Sequence, residues 1–229
     1  MLINFHKIRK ILKLLYQLSF FKTIFFNFKY LPFLDAIKFP IVISPNVYLL
    51  KTDGTITINF PIKTYSIKIG FGDVGIFDKR RSRTIWEVSG RVVFNGQARI
   101  GIGSKISVGL SGELIFGDNF QMSSESSIVS YKKISFGSNC ILSWDILIID
   151  TDFHNILSKD NFILNKPAEI IIGNNVWIGY RTVINKGSFI ASNSVVSACS
   201  RVFCRFNIEN SIIGGNPAKV LLNGIHWEP

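Results

Sequence analysis

The sequence predicts a mainly β fold, a left-handed parallel β-helix preceded by a short N-terminal helical segment. Three observations support this fold class. A β-branched aliphatic residue recurs every six residues, a small residue follows it at a fixed offset, and the same stretch lacks the i, i+3, i+4 stripe of an amphipathic helix. The chain has 229 residues, of which 47% are apolar, and this is enough to build one continuous core.

The period of six is clearest in the C-terminal half of the chain. Steps of six give Ile172, Ile178, Ile184, Ile190, Val196, Val202 and Ile208, all β-branched aliphatics. Four residues after each of the first five stand small residues, which are Val176, Thr182, Ser188, Ser194 and Ser200. One branched aliphatic and one small residue in every six is the signature of a hexapeptide β-helix, in which each hexapeptide forms one short strand and one corner.

The same period continues upstream. One run consists of Val88, Phe94, Ile100 and Ile106, and a second of Phe116, Met122, Ile128 and Ile134. A two-residue slip then resets the period to Phe136, Leu142 and Ile148. Three hexapeptides close a triangular coil of about 18 residues whose aliphatic side chains point inward. The alternating stretches 55–58 and 66–70 predict irregular first coils, as expected of terminal repeats.

Three parts follow from this pattern: an N-terminal helical, basic and apolar segment (1–40), a β-helix domain (41–222) with a protruding loop (155–168), and a C-terminal tail (223–229). Residues 1–39 carry seven basic side chains and one acidic side chain. Lysines cut the segment into uncharged runs far shorter than the about 20 apolar residues of a spanning helix. We therefore expect a helix that either contacts an anionic membrane through residues 1–30 or caps the β-helix.

The net charge of +11 favours anionic partners. The basic run 78–83 lacks interleaved aromatic residues, so nucleic-acid binding is not predicted. Cys140, Cys199 and Cys204 show no CxxC spacing and no nearby His, which predicts neither a disulfide framework nor a metal site but three small buried side chains. We expect a cytoplasmic protein, with peripheral association at the inner face of the membrane as the open alternative.

Four stretches of the C-terminal half carry a family resemblance. They are DTDFH (150–154), the loop 155–168, IGNNVWIG (172–179) and GGNPAK (214–219). In this order they resemble the sugar and xenobiotic O-acetyltransferases of the hexapeptide-repeat superfamily. The resemblance implies a homotrimer with three active sites in the clefts between adjacent β-helices, and acetyl-CoA as the acyl donor along each cleft, without a metal.

His154 matches the histidine that precedes the protruding loop in that family, and the resemblance implies that it is the general base. A neutral imidazole can accept the proton of a hydroxyl while the oxygen attacks the thioester, so that no acyl-enzyme is needed. Asp152 lies two residues earlier and would point to the same side of an extended strand. It could orient the imidazole ring, or it could be a solvated carboxylate.

The C-terminal coils also supply candidates for substrate binding. Donor-binding candidates are Trp177, Gly179, Arg181, Ser197, Ala198, Arg201 and Lys219, with Arg205 as a further basic side chain. Arg181 departs from the small residue that is common after VWIG, and it either disturbs a pantetheine contact or adds a phosphate ligand. Acceptor candidates are Ser143, Trp144 and Asp145, because Trp suits sugar faces, although packing is an alternative role for Trp144.

The predicted function is acetyl transfer from acetyl-CoA to a sugar hydroxyl in cell-surface polysaccharide or lipopolysaccharide biosynthesis. An N-acetyltransferase acting on an amino-sugar nucleotide would use the same base and donor, and it stays open. Two more distant hypotheses are a non-catalytic β-helix protein and a carbonic-anhydrase-like protein. The latter needs three histidines on zinc, whereas His6 and His226 lie near the termini.

Overall fold

The computed structural model describes residues 18–72 and 74–228. These residues form helix α1 (Phe20–Tyr30), the short helix α2 (Phe33–Ala36), and strands that coil into three sheets. Neighbouring strands are parallel, except that the last two strands of the chain pair antiparallel in the first sheet. The first sheet contains β1 (Ile41–Ile43), β4 (Ile67–Ile69), β7 (Ala98–Ile100), β10 (Phe120–Met122), β13 (Ile141–Leu142), β16 (Trp177–Ile178), β19 (Val195–Val196), β22 (Ser211–Gly215) and β23 (Ala218–Asn223).

The second sheet contains β2 (Val47–Thr52), β5 (Thr84–Val88), β8 (Lys105–Val108), β11 (Ser127–Ser130), β14 (Leu147–Ile149), β17 (Val183–Asn185) and β20 (Arg201–Val202). The third contains β3 (Thr55–Ile58), β6 (Arg91–Phe94), β9 (Glu113–Phe116), β12 (Lys133–Phe136), β15 (Ile170–Ile172), β18 (Phe189–Ile190) and β21 (Arg205–Phe206). Successive strands visit the three sheets in turn. The mainly β, left-handed parallel β-helix and its short N-terminal helix are confirmed.

The inward positions of the coils are those that the period of six predicts. Ile178, Ile184 and Val196 are fully buried, and the small residues Thr182 and Ser194 also face the interior. The last step of the period is wrong, because Ile208 is exposed and Phe206 takes the inward position beside Ile190. The corner between β20 and β21 is only two residues long, so the inward position arrives four residues after Val202 rather than six.

The two-residue slip has a structural counterpart. Phe94, Phe116 and Phe136 stack in the third sheet, with ring centroids 5.1 and 5.9 Å apart. Ile134 precedes Phe136 by two residues, and both side chains face the core on β12. The coil from Phe116 to Phe136 is therefore 20 residues long, and the stacked aromatic rings fill its interior.

One edge of the prism carries a ladder of asparagines that the periodicity did not reveal. Where the third sheet passes into the first, left-handed backbone conformations with φ of 53–59° occur at Asn119, Asn139, Asn175, Asn193 and Asn210. Asparagine tolerates this conformation better than most residues. The amide of Asn175 also donates to the side-chain oxygen of Asn193 at 3.1 Å, and Asn119 donates to Asn139 at 3.0 Å. The ladder thus fixes the turns of successive coils.

Replacing Asn175 by alanine is expected to lower the free energy of unfolding by about 2 kcal/mol, because alanine is strained at positive φ and loses the bond to Asn193. Asn175→Gly loses the same bond without the strain and should cost about half as much. Chemical denaturation of both variants measures the cost of the lost hydrogen bond and the additional cost of the backbone strain. Equal losses in the two variants would contradict a role for the left-handed backbone.

Helix α1 closes the N-terminal end of the β-helix. Phe26 is fully buried and its ring lies 5.3 Å from that of Trp86. The side chain of Asn27 donates to the carbonyl of Ile41 and accepts its N–H, and Thr23 accepts the N–H of Ile43. These bonds satisfy the open edge of β1, which would otherwise lack a partner strand. No helix within 18–72 and 74–228 is long and apolar enough to cross a membrane.

Candidate active site

His154 lies where the chain leaves the second sheet, at the start of the loop 155–168. Before it, Thr151 is buried and its hydroxyl accepts the N–H of Phe153 at 3.1 Å. Phe153 has φ of 62°, and the N–H of His154 donates to the carbonyl of Asp152 at 2.7 Å. This tight turn projects the imidazole into solvent, beside a loop that is mostly exposed.

The expectation that Asp152 and His154 share an extended strand is wrong, because the left-handed Phe153 breaks the alternation. The carboxylate of Asp152 is bonded to the ammonium of Lys186 and to the amide of Asn165 at 2.8 Å, rather than to the imidazole. The hydrogen bond from Lys186, followed by that from Asn165, lowers the pKa of Asp152 below its ordinary value of 3.8. This ion pair is complete above that ordinary pKa, and it is lost as the pH falls through the lowered pKa of Asp152.

Asn165 and Lys186 close the base of the loop, a role that sequence reasoning missed. The amide of Asn165 donates to the carbonyl of His154 at 2.8 Å and accepts the N–H of Ile156 at 2.6 Å. Lys186 donates to the carbonyl of Asn165 at 2.6 Å. We call Asp152, Asn165 and Lys186 the loop clasp. No short motif signals it, since Lys186 stands 34 residues after Asp152.

Asp150 supports the same turn from inside. Its side chain is fully buried, and its two oxygens accept the N–H of Tyr131 at 2.7 Å and the N–H of Lys132 at 2.9 Å. The ring of Tyr131 packs edge-on against Phe153, with centroids 5.0 Å apart. Asp150 therefore joins the corner between β11 and β12 to the turn that carries His154.

The edge between the first and second sheets collects most of the other predicted site residues. Successive corners 143–146, 179–182 and 197–200 stack there, and we call this line the small-residue edge. A Cβ on Gly179 would come within 2.6 Å of the backbone of Ala198, so this stacking requires glycine. The rings of Trp144 and Tyr180 are parallel, 5.3 Å apart, which gives Trp144 the packing role.

Four of the candidate site residues at this edge bind one another within the chain. The guanidinium of Arg181 is bonded to the carboxylate of Asp145 at 3.0 Å, so a donor candidate and an acceptor candidate pair with each other. The indole of Trp177 donates to the hydroxyl of Ser143 at 3.2 Å. Trp177 also faces Trp227 of the tail, at 6.1 Å between centroids.

The remaining donor candidates lie on the C-terminal coils. Ser197 is half-buried at the small-residue edge, next to Gly214. Arg201 is exposed on β20, and Lys219 is exposed on β23. Arg205, on β21, holds its guanidinium 4.8 Å from the centroid of the Phe189 ring. Arg201, Arg205 and Lys219 therefore belong to three different sheets of the C-terminal coils.

A single chain does not bring His154 to the small-residue edge. His154 stands at the edge between the second and third sheets, whereas Gly179 and Ala198 stand at the edge between the first and second. The three-residue strands of the second sheet separate these edges by about 10 Å. A site that uses both sets of residues requires either a ligand that spans this distance along one chain or the edge of a second copy beside His154.

The prediction of three buried cysteines is wrong for two of them. Cys199 and Cys204 are exposed free thiols, because they occupy corners rather than inward positions. Cys140 is buried, and burial raises the pKa of its thiol to about 11. Within the described residues there is no group of three His, Cys, Asp or Glu side chains that could hold a metal ion. His6 and the whole of the basic segment 1–17 lie outside the described residues.

Replacing Lys186 by methionine is expected to lower kcat about tenfold, because the turn and the loop lose the cation that joins Asp152 to Asn165. The donor KM should change little, since Lys186 lies away from the small-residue edge. Steady-state kinetics with both substrates provides the measurement, and Lys159→Met, an exposed lysine of the same loop, is the matched control. An unchanged kcat in Lys186→Met would show that the loop clasp has no positioning role.

No family model matches the chain. Similar curated proteins do exist. The chain is 27% identical over 153 residues to the putative lipopolysaccharide biosynthesis O-acetyl transferase WbbJ of Escherichia coli, covering 61% of this chain and 77% of that protein. It is 31% identical over 206 residues to an uncharacterized 24.8 kDa protein in the cps region of Klebsiella pneumoniae, covering 88% and 87%. Over 104 residues it is 37% identical to the polysialic acid O-acetyltransferase of Neisseria meningitidis, covering 45% and 48%.

Two solved structures share the architecture. The polySia specific acetyltransferase NeuO superposes with a TM-score of 0.61 at 20% identity, covering 82% of this chain and 79% of that structure. The polysialic acid O-acetyltransferase OatWY superposes with a TM-score of 0.50 at 25% identity, covering 80% and 88%. The shared architecture therefore extends over about four fifths of this chain, beyond the C-terminal coils.

Proposed function

The chain belongs to the hexapeptide-repeat acetyltransferases, and from this membership we propose that it transfers acetyl from acetyl-CoA to a sugar hydroxyl in cell-surface polysaccharide or lipopolysaccharide biosynthesis. The observation that carries the proposal is His154, which stands on an exposed turn held by Asp150 and the loop clasp. The names of the relatives support the reaction and the acceptor class, since they act in lipopolysaccharide biosynthesis or on polysialic acid.

The small-residue edge suits a long, thin donor that ends in phosphates. Gly179 and Ala198 present no bulky side chain at their own positions in the stacked corners, and Ser197 adds a hydroxyl. Arg201 and Lys219 are exposed cations beyond this line and would bind phosphates. Trp177 would flank the donor arm, while Arg181 would contribute mainly through its pair with Asp145. Acetyl-CoA supplies an activated thioester carbonyl when bound.

His154 is the proposed general base. It would take the proton of the acceptor hydroxyl while that oxygen attacks the thioester, and return it to the departing sulfur. Direct transfer of this kind needs no nucleophile from the protein. A backbone N–H would stabilise the negative charge that develops on the carbonyl oxygen. Asp152 acts through the loop clasp as a positioning residue, and Ser143, Trp144 and Asp145 would line the acceptor side.

A homotrimer is the proposed assembly. The separation of His154 from the small-residue edge within one chain supports it, because a neighbouring copy can place its edge beside His154. Closed rotational symmetry repeats such a contact identically, and a triangular prism offers three-fold packing. The proposed location is the cytoplasm, which the exposed free thiols of Cys199 and Cys204 support.

Loss of the protein from its host cell is expected to remove an O-acetyl group from a surface glycan, seen by mass spectrometry as a deficit of about 42 Da per modified residue. Mild alkali should produce the same deficit in the wild-type glycan, because esters hydrolyse and amides do not. An alkali-stable acetyl group that depends on the protein would identify an N-acetyltransferase instead. An unchanged glycan would refute the proposed acceptor class.

A further inference from the structure

The two N-terminal helices present an apolar surface away from the β-helix. Phe21, Phe25 and Phe28 follow the i, i+4, i+7 spacing of one helical face, and their side chains are 84%, 48% and 42% exposed. Together with the other exposed apolar residues of this end they form the aromatic face, which consists of Phe20, Phe21, Phe25, Phe28, Phe33, Leu34 and Ile37. The buried side of α1, with Phe26 and Asn27, already serves the cap.

A cavity of about 410 Å³ adjoins this face, and four cations line it. We call Lys22, Arg80, Arg81 and Arg83 the cationic pocket. Lys22 belongs to α1, and its ammonium is fixed by the carbonyls of Pro45 at 2.7 Å and Val47 at 2.6 Å. Arg83 holds its guanidinium 5.1 Å from the centroid of the Tyr48 ring, on the wall of the same cavity. An anionic group in the pocket would relieve the mutual repulsion of these cations.

The positive charge of the pocket indicates which kind of partner could cover the N-terminal end of the β-helix. The segment 1–17 carries Lys7, Arg9, Lys10 and Lys13 and no acidic residue, and a second copy of the chain has the same net charge of +11. Either of these occupants would place further positive charge beside the cations of the pocket. The nearby acids neutralise this surface only in part, because Asp35 is paired with Lys38, outside the pocket, and Asp78 is paired with one of the four pocket cations, Arg81, at 3.8 Å. An anionic bilayer offers a partner for both features of this surface, because its phosphates can pair with the cations and its acyl chains, directly below the phosphates, can cover the aromatic face.

We propose that the N-terminal end of the β-helix is a docking surface for an anionic lipid bilayer, with the aromatic face among the acyl chains and a lipid phosphate in the cationic pocket. Four strand spacings separate β2 from β14, so His154 would stand about 19 Å further along the axis. The active site would then face a glycan held close to the membrane. Docking does not depend on the proposed acetyl transfer, and either can fail alone.

Vesicle sedimentation of the full-length protein tests the docking surface. Vesicles of phosphatidylcholine with phosphatidylglycerol should bind the wild type, and vesicles of pure phosphatidylcholine should bind it far more weakly. Phe21→Ala/Phe25→Ala should lower the partition coefficient at least about tenfold. Arg80→Gln/Arg81→Gln/Arg83→Gln should lower binding to anionic vesicles about fivefold per charge. All of these side chains are at the surface, so the thermal unfolding midpoint should stay unchanged.

Matched controls remove equal apolar area or charge elsewhere. Leu110→Ala/Phe203→Ala and Lys132→Gln/Lys159→Gln/Lys166→Gln change exposed residues outside the surface and should sediment like the wild type. The proposal would be overturned if the wild-type protein did not bind anionic vesicles. It would also be overturned if the phenylalanine and arginine variants bound these vesicles as well as the control variants do. A smaller oligomer in Phe21→Ala/Phe25→Ala, measured by light scattering, would assign the face to a second copy and would overturn it as well.

Discussion

His154→Ala is expected to lower kcat for acetyl transfer at least about a hundredfold, because a positioned general base contributes about 10²–10⁴ in rate. The donor affinity and the oligomer should be unchanged, since the imidazole is exposed and the turn is held by backbone and neighbouring side chains. Steady-state kinetics and equilibrium binding of the donor separate these effects.

His226→Ala is the matched control for that experiment. His226 is also exposed, but it lies in the C-terminal tail, where its imidazole is 3.6 Å from the carboxylate of Glu228. Its replacement should leave kcat unchanged. Full activity in His154→Ala with the true acceptor would mean that another group takes the proton, and the proposed mechanism would be wrong.

Asp150→Asn is expected to lower the free energy of unfolding by about 3 kcal/mol and kcat about tenfold. An amide has one acceptor oxygen, so the N–H of Tyr131 or the N–H of Lys132 loses its partner and faces a second donor in the interior. The ring of Tyr131 would then no longer be fixed against Phe153, the residue before His154. Denaturant unfolding and steady-state kinetics provide the two measurements.

Asp160→Asn makes the same chemical change on the exposed loop and should alter neither quantity. If Asp150→Asn lowered stability but left kcat unchanged, Asp150 would be structural only, with no effect on the turn of His154. If both quantities stayed at their wild-type values, the buried hydrogen bonds of Asp150 would carry far less energy than their geometry implies.

Most of the fold could be predicted because a solenoid repeats one physical constraint. Each coil must bury a side chain such as Ile178 or Ile184 in the same prism, so the requirement recurs every six residues. The prediction failed at Ile208, where a shorter corner shifts the register to Phe206. The asparagine ladder was missed because its members are 17 to 36 residues apart and follow no constant period.

The candidate site was less predictable, since its geometry depends on contacts between distant segments. The family motif selected His154, but the backbone turn at Phe153 and the partner Lys186 together decide what Asp152 does. Similarly, nothing local to Arg181 indicates that Asp145 binds it, because the pair forms only when two coils stack. Ion pairs of this kind can be identified only once the register between the stacked coils is known.

Acetyl transfer is tested most directly with the host's own surface glycan, freed of O-acetyl groups by mild alkali and incubated with purified protein and acetyl-CoA labelled in the acetyl group. The predicted result is label on the glycan that a second alkali treatment releases, with His154→Ala transferring at least about a hundredfold more slowly. Label that resists alkali, or no label on the glycan, would contradict acetyl transfer to a sugar hydroxyl.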